Sequence, residues 1–382
     1  MSHPHAPTNA YLFAGGGTGG HIYPALAIIE QLQALDPSAH CELLISDRPN
    51  DRTILDQHDL PFAPLPAKPF ATRPKGLMRF ISSWGPSVRQ TREALRRLKQ
   101  SHDRVILVAM GGFVAAPAAR GARCEGVHVA LVNLDAVPGK ANELIARKAD
   151  TIYTACDIDG HPEWKRVPPI VRASTIQHIN RSDARARFGL DPNTHTLLIT
   201  GGSTGAQSLN RFMQLFTETH RDQLQGWQVI HQTGKQIDGT ELEALRSAYR
   251  TIGIHAWVEH YIDDMGGAYA AADLGIGRCG AGTVAECWAA HLPSLFFPYP
   301  YHKDEHQLHN AKPLLRIEGA IACTDHVEPQ GNLRAYGEIL ADLLTNPDRR
   351  DRMRAALESL GQPDGASRIA QALVNAESSS RT

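Results

Sequence analysis

The chain has 382 residues, 42% hydrophobic and 21% charged, with a formal net charge of -1. That length exceeds one ordinary core and fits two domains, while the composition excludes a disordered chain. The charge balance excludes a globally basic nucleic-acid binder, so no nucleic-acid partner is expected.

No apolar run approaches the roughly 20 residues of a membrane-spanning helix. Residues 1–7 carry neither the basic nor the apolar region of a signal peptide, so a cytoplasmic location is expected. Six scattered cysteines without a Cys-x-x-Cys pair are expected to be reduced. The 19 histidines show no His-Glu-x-x-His spacing, and no metal site is expected.

In the first half, the apolar runs Tyr11–Ala14, Cys41–Ser46, Val105–Met110, Val127–Val132 and Thr151–Ala155 read as strands between helical patterns. The first strand runs into Gly15-Gly16-Gly17-Thr18-Gly19-Gly20-His21 and then an amphipathic helix containing Ala25, Leu26, Ile28, Ile29 and Leu32. Such a strand–glycine turn–helix unit lets bare backbone and the helix's first N–H groups reach an anionic ligand. A second turn, Met110-Gly111-Gly112-Phe113, also follows a strand. Two glycine turns at strand ends of one sheet point into one crevice. Between them, Leu77, Phe80, Ile81 and Trp84 lie among Arg73, Lys75 and Arg79. That mixture suits either a core-facing amphipathic helix or an interfacial segment on anionic lipid.

Asp157–Pro162, with Pro168 and Pro169, marks a boundary, giving expected domains 1–165 and 166–345 and a tail of helices, 346–382, packing back across them. In the second half, Thr196–Thr200, Gln228–Gln232, His255–Val258, Leu274–Gly277, Ser294–Phe297 and Ala320–Cys323 read as strands. Continuous Val/Ile/Leu runs alternating with helices predict an α/β chain with doubly wound parallel sheets. Thr200-Gly201-Gly202-Ser203-Thr204-Gly205-Ala206 repeats the glycine turn. The segment Gly280-Ala281-Gly282-Thr283-Val284-Ala285-Glu286 opens a helix with small residues and adds a carboxylate. A helix start can hold a diphosphate while Glu286 accepts from two ribose hydroxyls; alone, a Glu placed well on the helix dipole explains it better. Pro298–Ala311 is a polar loop suited to sugar hydroxyls or simply to solvent.

Gly-Gly-Thr-Gly-Gly-His, Met-Gly-Gly-Phe-Val, Gly-Gly-Ser-x-Gly-Ala, Tyr-Ile-Asp-Asp-Met, Gly-Ala-Gly-Thr-Val-Ala-Glu and His-Lys-Asp occur in that order. Over residues 9–375 this set resembles the MurG family of N-acetylglucosaminyltransferases. The resemblance implies a GT-B fold, two Rossmann-like domains facing a cleft, and inverting transfer of GlcNAc from UDP-GlcNAc to lipid I, giving lipid II without a cofactor. It implies that Ser203, Ile262, Ala281, Gly282, Thr283, Val284, Ala285, Glu286, His306, Gln307 and Arg172 bind the donor. Gly17, Thr18, Gly19, Gly20, Gly111 and Gly112 would bind the acceptor diphosphate, with Thr18, Gly19 and Gly20 also bordering the donor. His21 would activate the acceptor hydroxyl or hold its diphosphate. A lipid-linked acceptor tips Leu77, Phe80, Ile81 and Trp84 toward peripheral contact with the anionic cytoplasmic face of the membrane.

Where the family carries His-Glu-Gln-Asn, this chain has Val132-Asn133-Leu134-Asp135, which puts the carboxylate Asp135 in the place of a donor-contacting Asn. A related transferase with another acceptor, a UDP-GlcNAc 2-epimerase and a non-catalytic sugar-nucleotide binder stay open beside the lipid II-forming reading.

Overall fold

The computed structural model describes residues 8–17, 19–173, 179–202, 205–235, 237–301 and 305–376. The expected ligand contacts Thr18 and Ser203 lie outside these residues.

The chain divides into two compact units, Met1–Arg172 with Asp364–Thr382, and Ala173–Pro363. The first holds a seven-stranded sheet in the order β3-β2-β1-β4-β5-β6-β7. Its strands are β1 (Asn9–Ala14), β2 (His40–Ser46), β3 (Phe62–Leu65), β4 (Arg104–Ala109), β5 (His128–Asn133), β6 (Thr151–Thr154) and β7 (Lys165–Arg166). The second unit holds β10-β9-β8-β11-β12-β13. These are β8 (His195–Thr200), β9 (Trp227–Gln232), β10 (Ala256–Glu259), β11 (Leu274–Gly277), β12 (Ser294–Phe296) and β13 (Ala320–Ala322). Every paired ladder in both sheets is parallel.

The expected strands all form, shifted by a residue or two at their ends. Two further strands, β3 and β7, sit at the edges of the first sheet. β3 contains Pro64, whose missing N–H an edge strand tolerates. β7 is two exposed basic residues without an apolar signal.

In β8, Leu197 and Ile199 enter one apolar cluster with Phe212, Phe216 and Leu340, whereas Leu198 enters another with Phe188, Tyr269 and Trp288. A parallel sheet covered on both faces therefore needs apolar residues at every position, which is why its strands read as continuous runs.

The tail divides. Helices Pro329–Thr345 and Pro347–Glu358 belong to the second unit, whereas Gly365–Asn375 returns to the first and packs on Gly19–Leu35. Arg104 caps the returning helix through the Leu373 and Val374 carbonyls at 2.5 and 3.0 Å. A Cβ at Gly365 would lie 1.9 Å from the Pro168 carbonyl oxygen, so only glycine admits this crossing. The change of unit falls after Arg172; Asp157–Pro162 and the proline pair lie within the first unit.

All six cysteines are free, and Cys41, Cys279, Cys287 and Cys323 are buried.

Candidate functional site

In each sheet the first strand lies between neighbours whose connections run in opposite directions: β1 between β2 and β4, β8 between β9 and β11. At such a switch point the loops part and leave a crevice outside the strands' carboxyl ends. Gly15–Gly17 and Gly111 follow β1 and β4, ahead of the helix starts at Gly19 and Gly112; Gly201, Gly202, Gly205 and Ala206 follow β8, and Arg278–Gly280 follow β11 ahead of the helix start at Ala281. Each pair of motifs is thus brought together by topology.

In the first unit, Gly111 and Gly112 both have positive φ, +97° and +74°, which L side chains rarely adopt. A Cβ on Gly112 would lie 3.0 Å from the Gly16 carbonyl oxygen and 3.2 Å from His21 Nε2. One on Gly111 would lie 2.8 Å from Asn142 Oδ1 and 3.3 Å from His21 Cε1. The imidazole therefore lies along the bare backbone of the second turn. Among the described residues its buried Nδ1 has no hydrogen-bond partner, and neither has Asn142 Oδ1.

Burial pushes the His21 pKa below its ordinary 6.5, and Asp135, the Met110 backbone and Asp51 pull it back without reversing the shift. His21 is consequently neutral at pH 7 and able to accept a proton. Asp135, expected at the donor, acts electrostatically on this histidine. Arg172, expected at the donor as well, stacks its guanidinium 4.5 Å from the centre of the Tyr23 ring in the first unit.

Gly17 differs from its assignment as a diphosphate ligand: its N–H is donated inward to Asp51 Oδ2 at 2.6 Å. The helix Gly19–Leu35 begins with Gly19, Gly20 and His21, and first-turn N–H groups have no partner within a helix.

In the second unit, Gly202 N–H donates to Thr200 Oγ1 at 3.1 Å, and Gly205 N–H to the Gly202 carbonyl at 3.0 Å. A Cβ at Gly205 would lie 2.5 Å from the Thr233 carbonyl oxygen. Helix Ala281–Ala289 exposes Gly282 and leaves Ala281, Thr283 and Glu286 half-buried, while Val284 and Ala285 are buried at 5% exposure. The spacing 282, 283, 286 forms one helical face, so Gly282, Thr283 and Glu286 can meet a ligand while Val284 and Ala285 pack inward.

Ile262 is 2% exposed and sits in the core with Phe188 and Tyr269, leaving its backbone as the part a base can reach. Half-buried His306 and Gln307 open helix His306–Arg316, and Gln307 Oε1 accepts from the Tyr299 N–H at 2.8 Å.

A network that the motifs did not reveal ties this edge together. Arg278 donates to the Phe297 carbonyl at 2.8 Å, to Asp325 Oδ2 at 2.7 Å and to Ser208 Oγ at 3.0 Å. Burial raises the Asp325 pKa, but bonds from Asn332 and Ser208 and the Arg278 charge outweigh it, leaving a net depression. The missed signal was Arg278 itself, a cation directly after the apolar strand β11.

Of the four expected membrane residues, Ile81 is 63% exposed, whereas Leu77, Phe80 and Trp84 are half-buried. Trp84 packs on the first unit's core, and Phe80 contacts Phe70 edge-on at 5.5 Å. Met78 and Phe70, outside those four, are 70% and 56% exposed. Among the described residues no helix is long and apolar enough to cross a membrane, and no group of metal-ligating side chains converges.

Models of the glycosyltransferase family 28 N-terminal and C-terminal domains match residues 11–154 and 196–369. The enzyme named UDP-N-acetylglucosamine--N-acetylmuramyl-(pentapeptide) pyrophosphoryl-undecaprenol N-acetylglucosamine transferase from Mycolicibacterium vanbaalenii is 35% identical over 374 residues, covering 94% of this chain and 88% of its own. Its namesake from Clavibacter michiganensis subsp. michiganensis is 33% identical over 370 residues, 94% of each chain. The crystal structure of Acinetobacter baumannii MurG matches with a TM-score of 0.68 at 25% identity, covering 97% of this chain and 100% of that one. A solved UDP-N-acetylglucosamine 2-epimerase reaches 0.63 at 12% identity, a likeness of fold alone.

Proposed function

Because the chain belongs to glycosyltransferase family 28, and within it to the MurG-type N-acetylglucosaminyltransferases, we propose that it transfers GlcNAc from UDP-GlcNAc to a lipid-linked muramyl-pentapeptide, giving lipid II. The observation that carries this reading is identity of 33% and 35% with transferases of that name along nearly the whole chain.

The geometry supports a division of labour. In the second unit, the helix starts after β8 and β11 offer N–H groups and positive dipole ends to the donor diphosphate. Glu286, accessible on the face that carries Gly282 and Thr283, accepts from the ribose hydroxyls. In the first unit, Gly19 and Gly20 offer the first-turn N–H groups to the acceptor diphosphate. Neutral His21 takes the proton from the acceptor hydroxyl as that oxygen attacks the anomeric carbon. The sugar–phosphate bond breaks, UDP leaves with the bonding electrons, and the helix-start donors stabilise the charge it acquires.

The acceptor's lipid places the reaction at a membrane surface. Phe70, Met78 and Ile81 are exposed beside the exposed cations Arg73, Lys75 and Arg79, a combination that supports peripheral attachment to an anionic cytoplasmic face. Serine at Phe70, Met78 and Ile81 together should reduce flotation with anionic vesicles; equal flotation of variant and parent would remove this part.

The test of the reaction is transfer of radiolabelled GlcNAc from UDP-GlcNAc to a lipid I analogue, with the label extracting into the lipid phase. ManNAc formed without acceptor would identify an epimerase, and donor binding without turnover a non-catalytic protein; either result contradicts the proposal.

A further inference from the structure

The turn that carries His21 is gripped by two charged side chains outside every recognised motif. Asp51, on helix Pro49–Leu55, is fully buried. Its Oδ2 accepts from the Gly17 N–H at 2.6 Å, from the Ser46 hydroxyl at 2.5 Å and from the Ser46 N–H at 3.3 Å, while buried Oδ1 has no partner. Arg48, the residue before that helix, donates to the Gly17 carbonyl at 2.6 Å and lies 5.3 Å from the centre of the Phe113 ring. Gly17 is therefore held at both its N–H and its C=O.

The fit allows little else. Gly17 has φ +93°, and a Cβ there would lie 2.6 Å from the Phe113 ring; one on Gly16 would lie 2.6 Å from Asp51 Oδ2. Arg48 with Phe113, and separately the His21 ring, join the β1 turn to the β4 turn. Burying a carboxylate is costly when an amide oxygen could accept the same bonds from Gly17 and Ser46. What a carboxylate adds is charge, and Asp51 is one of two carboxylates, with Asp135, that act on His21. Two cations are held at this end as well, Arg48 on the Gly17 carbonyl and Arg172 on the Tyr23 ring.

We propose that Asp51 and Arg48 are positioning residues for the acceptor half of the reaction: they lock Gly17 so that the helix start Gly19–His21 stands ready for diphosphate and hydroxyl, and Asp51 sets a fixed negative charge behind His21. The inference rests on the reading of His21 as the group that accepts the hydroxyl proton. It also assigns the Gly17 N–H to the frame, leaving the diphosphate to the donors that follow.

Three variants separate the geometry from the charge. Asp51→Asn keeps an acceptor for Gly17 and removes the charge; Asp51→Ala removes both; Arg48→Met releases the carbonyl. Asp51→Ala and Arg48→Met should lower kcat on a lipid I analogue about 10–100-fold, the scale of a misplaced catalytic group. Their Kd for UDP-GlcNAc should stay at the parent's value, which also shows that the chain has folded. Asp51→Asn should move the acidic limb of the kcat/KM profile to lower pH, because it removes a charge that favours protonated His21. If Asp51→Ala fails to fold, the near-isosteric Asn variant and Arg48→Met carry the test.

Parent kcat in Arg48→Met, together with the parent pH profile in Asp51→Asn, overturns the proposal when His21→Ala is inactive in the same assay. If His21→Ala retains parental turnover, the reading of His21 has failed instead.

Discussion

The two glycine turns occupy equivalent places, each at the carboxyl end of the third strand across its sheet, yet they are held by opposite means. The first is clamped by charges, Asp51 on the Gly17 N–H and Arg48 on its carbonyl. At the second, the side chains bonded to Gly202 and to the Thr233 carbonyl are neutral. Thr200 Oγ1 donates to Gln232 Oε1 at 2.6 Å and accepts from Gly202, while the Asn210 amide holds the Thr233 carbonyl at 3.0 Å. Asn210 is itself hydrogen-bonded to buried His231 at 3.0 Å.

The difference follows from what each turn presents. The second turn presents no base, so a carboxylate beneath it would only cancel part of the helix-start potential that serves its diphosphate. A turn that presents a histidine at a strained glycine corner can carry a negative charge behind it, because that charge favours proton uptake. Equal topology thus supports unequal chemistry.

The largest test of this contrast is His21→Ala, which should lower transfer to a lipid I analogue about 10²–10⁴-fold, the usual range for a general base, as read by steady-state kinetics. Next is the ion pair Arg278–Asp325 at the second unit's site. Arg278→Met leaves the Asp325 carboxylate, 0% exposed at its side chain, without its cation. Breaking such a pair costs about 3–5 kcal/mol, which should appear as a Tm lowered by about 10 °C in calorimetry.

A smaller effect concerns the neutral frame. Burial lowers the His231 pKa to about 3. The unfolded chain takes up that proton near pH 6.5 and the folded chain only near 3, so between those values the unfolded state binds more protons. Stability is full above pH 6.5 and falls as the pH drops, by about 2 kcal/mol from pH 6.5 to 5. Urea midpoints at the two pH values should show this loss in the parent and its absence in His231→Gln. Smallest is Asp135→Asn, which removes the leading charge favouring protonated His21. The acidic limb of kcat/KM should move to lower pH, with donor affinity unchanged in a titration.

The alternation of apolar runs and glycine turns was enough to read both sheets, because parallel strands buried on two faces declare themselves in sequence. Pro64 hid β3, and the exposed pair Lys165–Arg166 hid β7. The final helix had a signal, Ala366, Ile369, Ala370 and Leu373 at helical spacing, but its return to the first unit depends on contacts with a helix at the other end of the chain. The motifs located the ligand ends without saying which atoms face outward. Val284, Ala285 and Ile262 share motifs with accessible residues and point into the core. Asp51 was illegible for a different reason: its partner Gly17 is 34 positions away, and a carboxylate opening a short helix reads as an ordinary dipole partner.

The most direct test of the division between the two turns is calorimetric titration of UDP-GlcNAc into the parent, His21→Ala and Glu286→Gln. The donor turn belongs to the second unit, so His21→Ala should bind like the parent. Glu286→Gln should bind about 10–100-fold more weakly, having lost charged hydrogen bonds to the ribose. Parental binding by Glu286→Gln with weakened binding by His21→Ala would contradict the assignment.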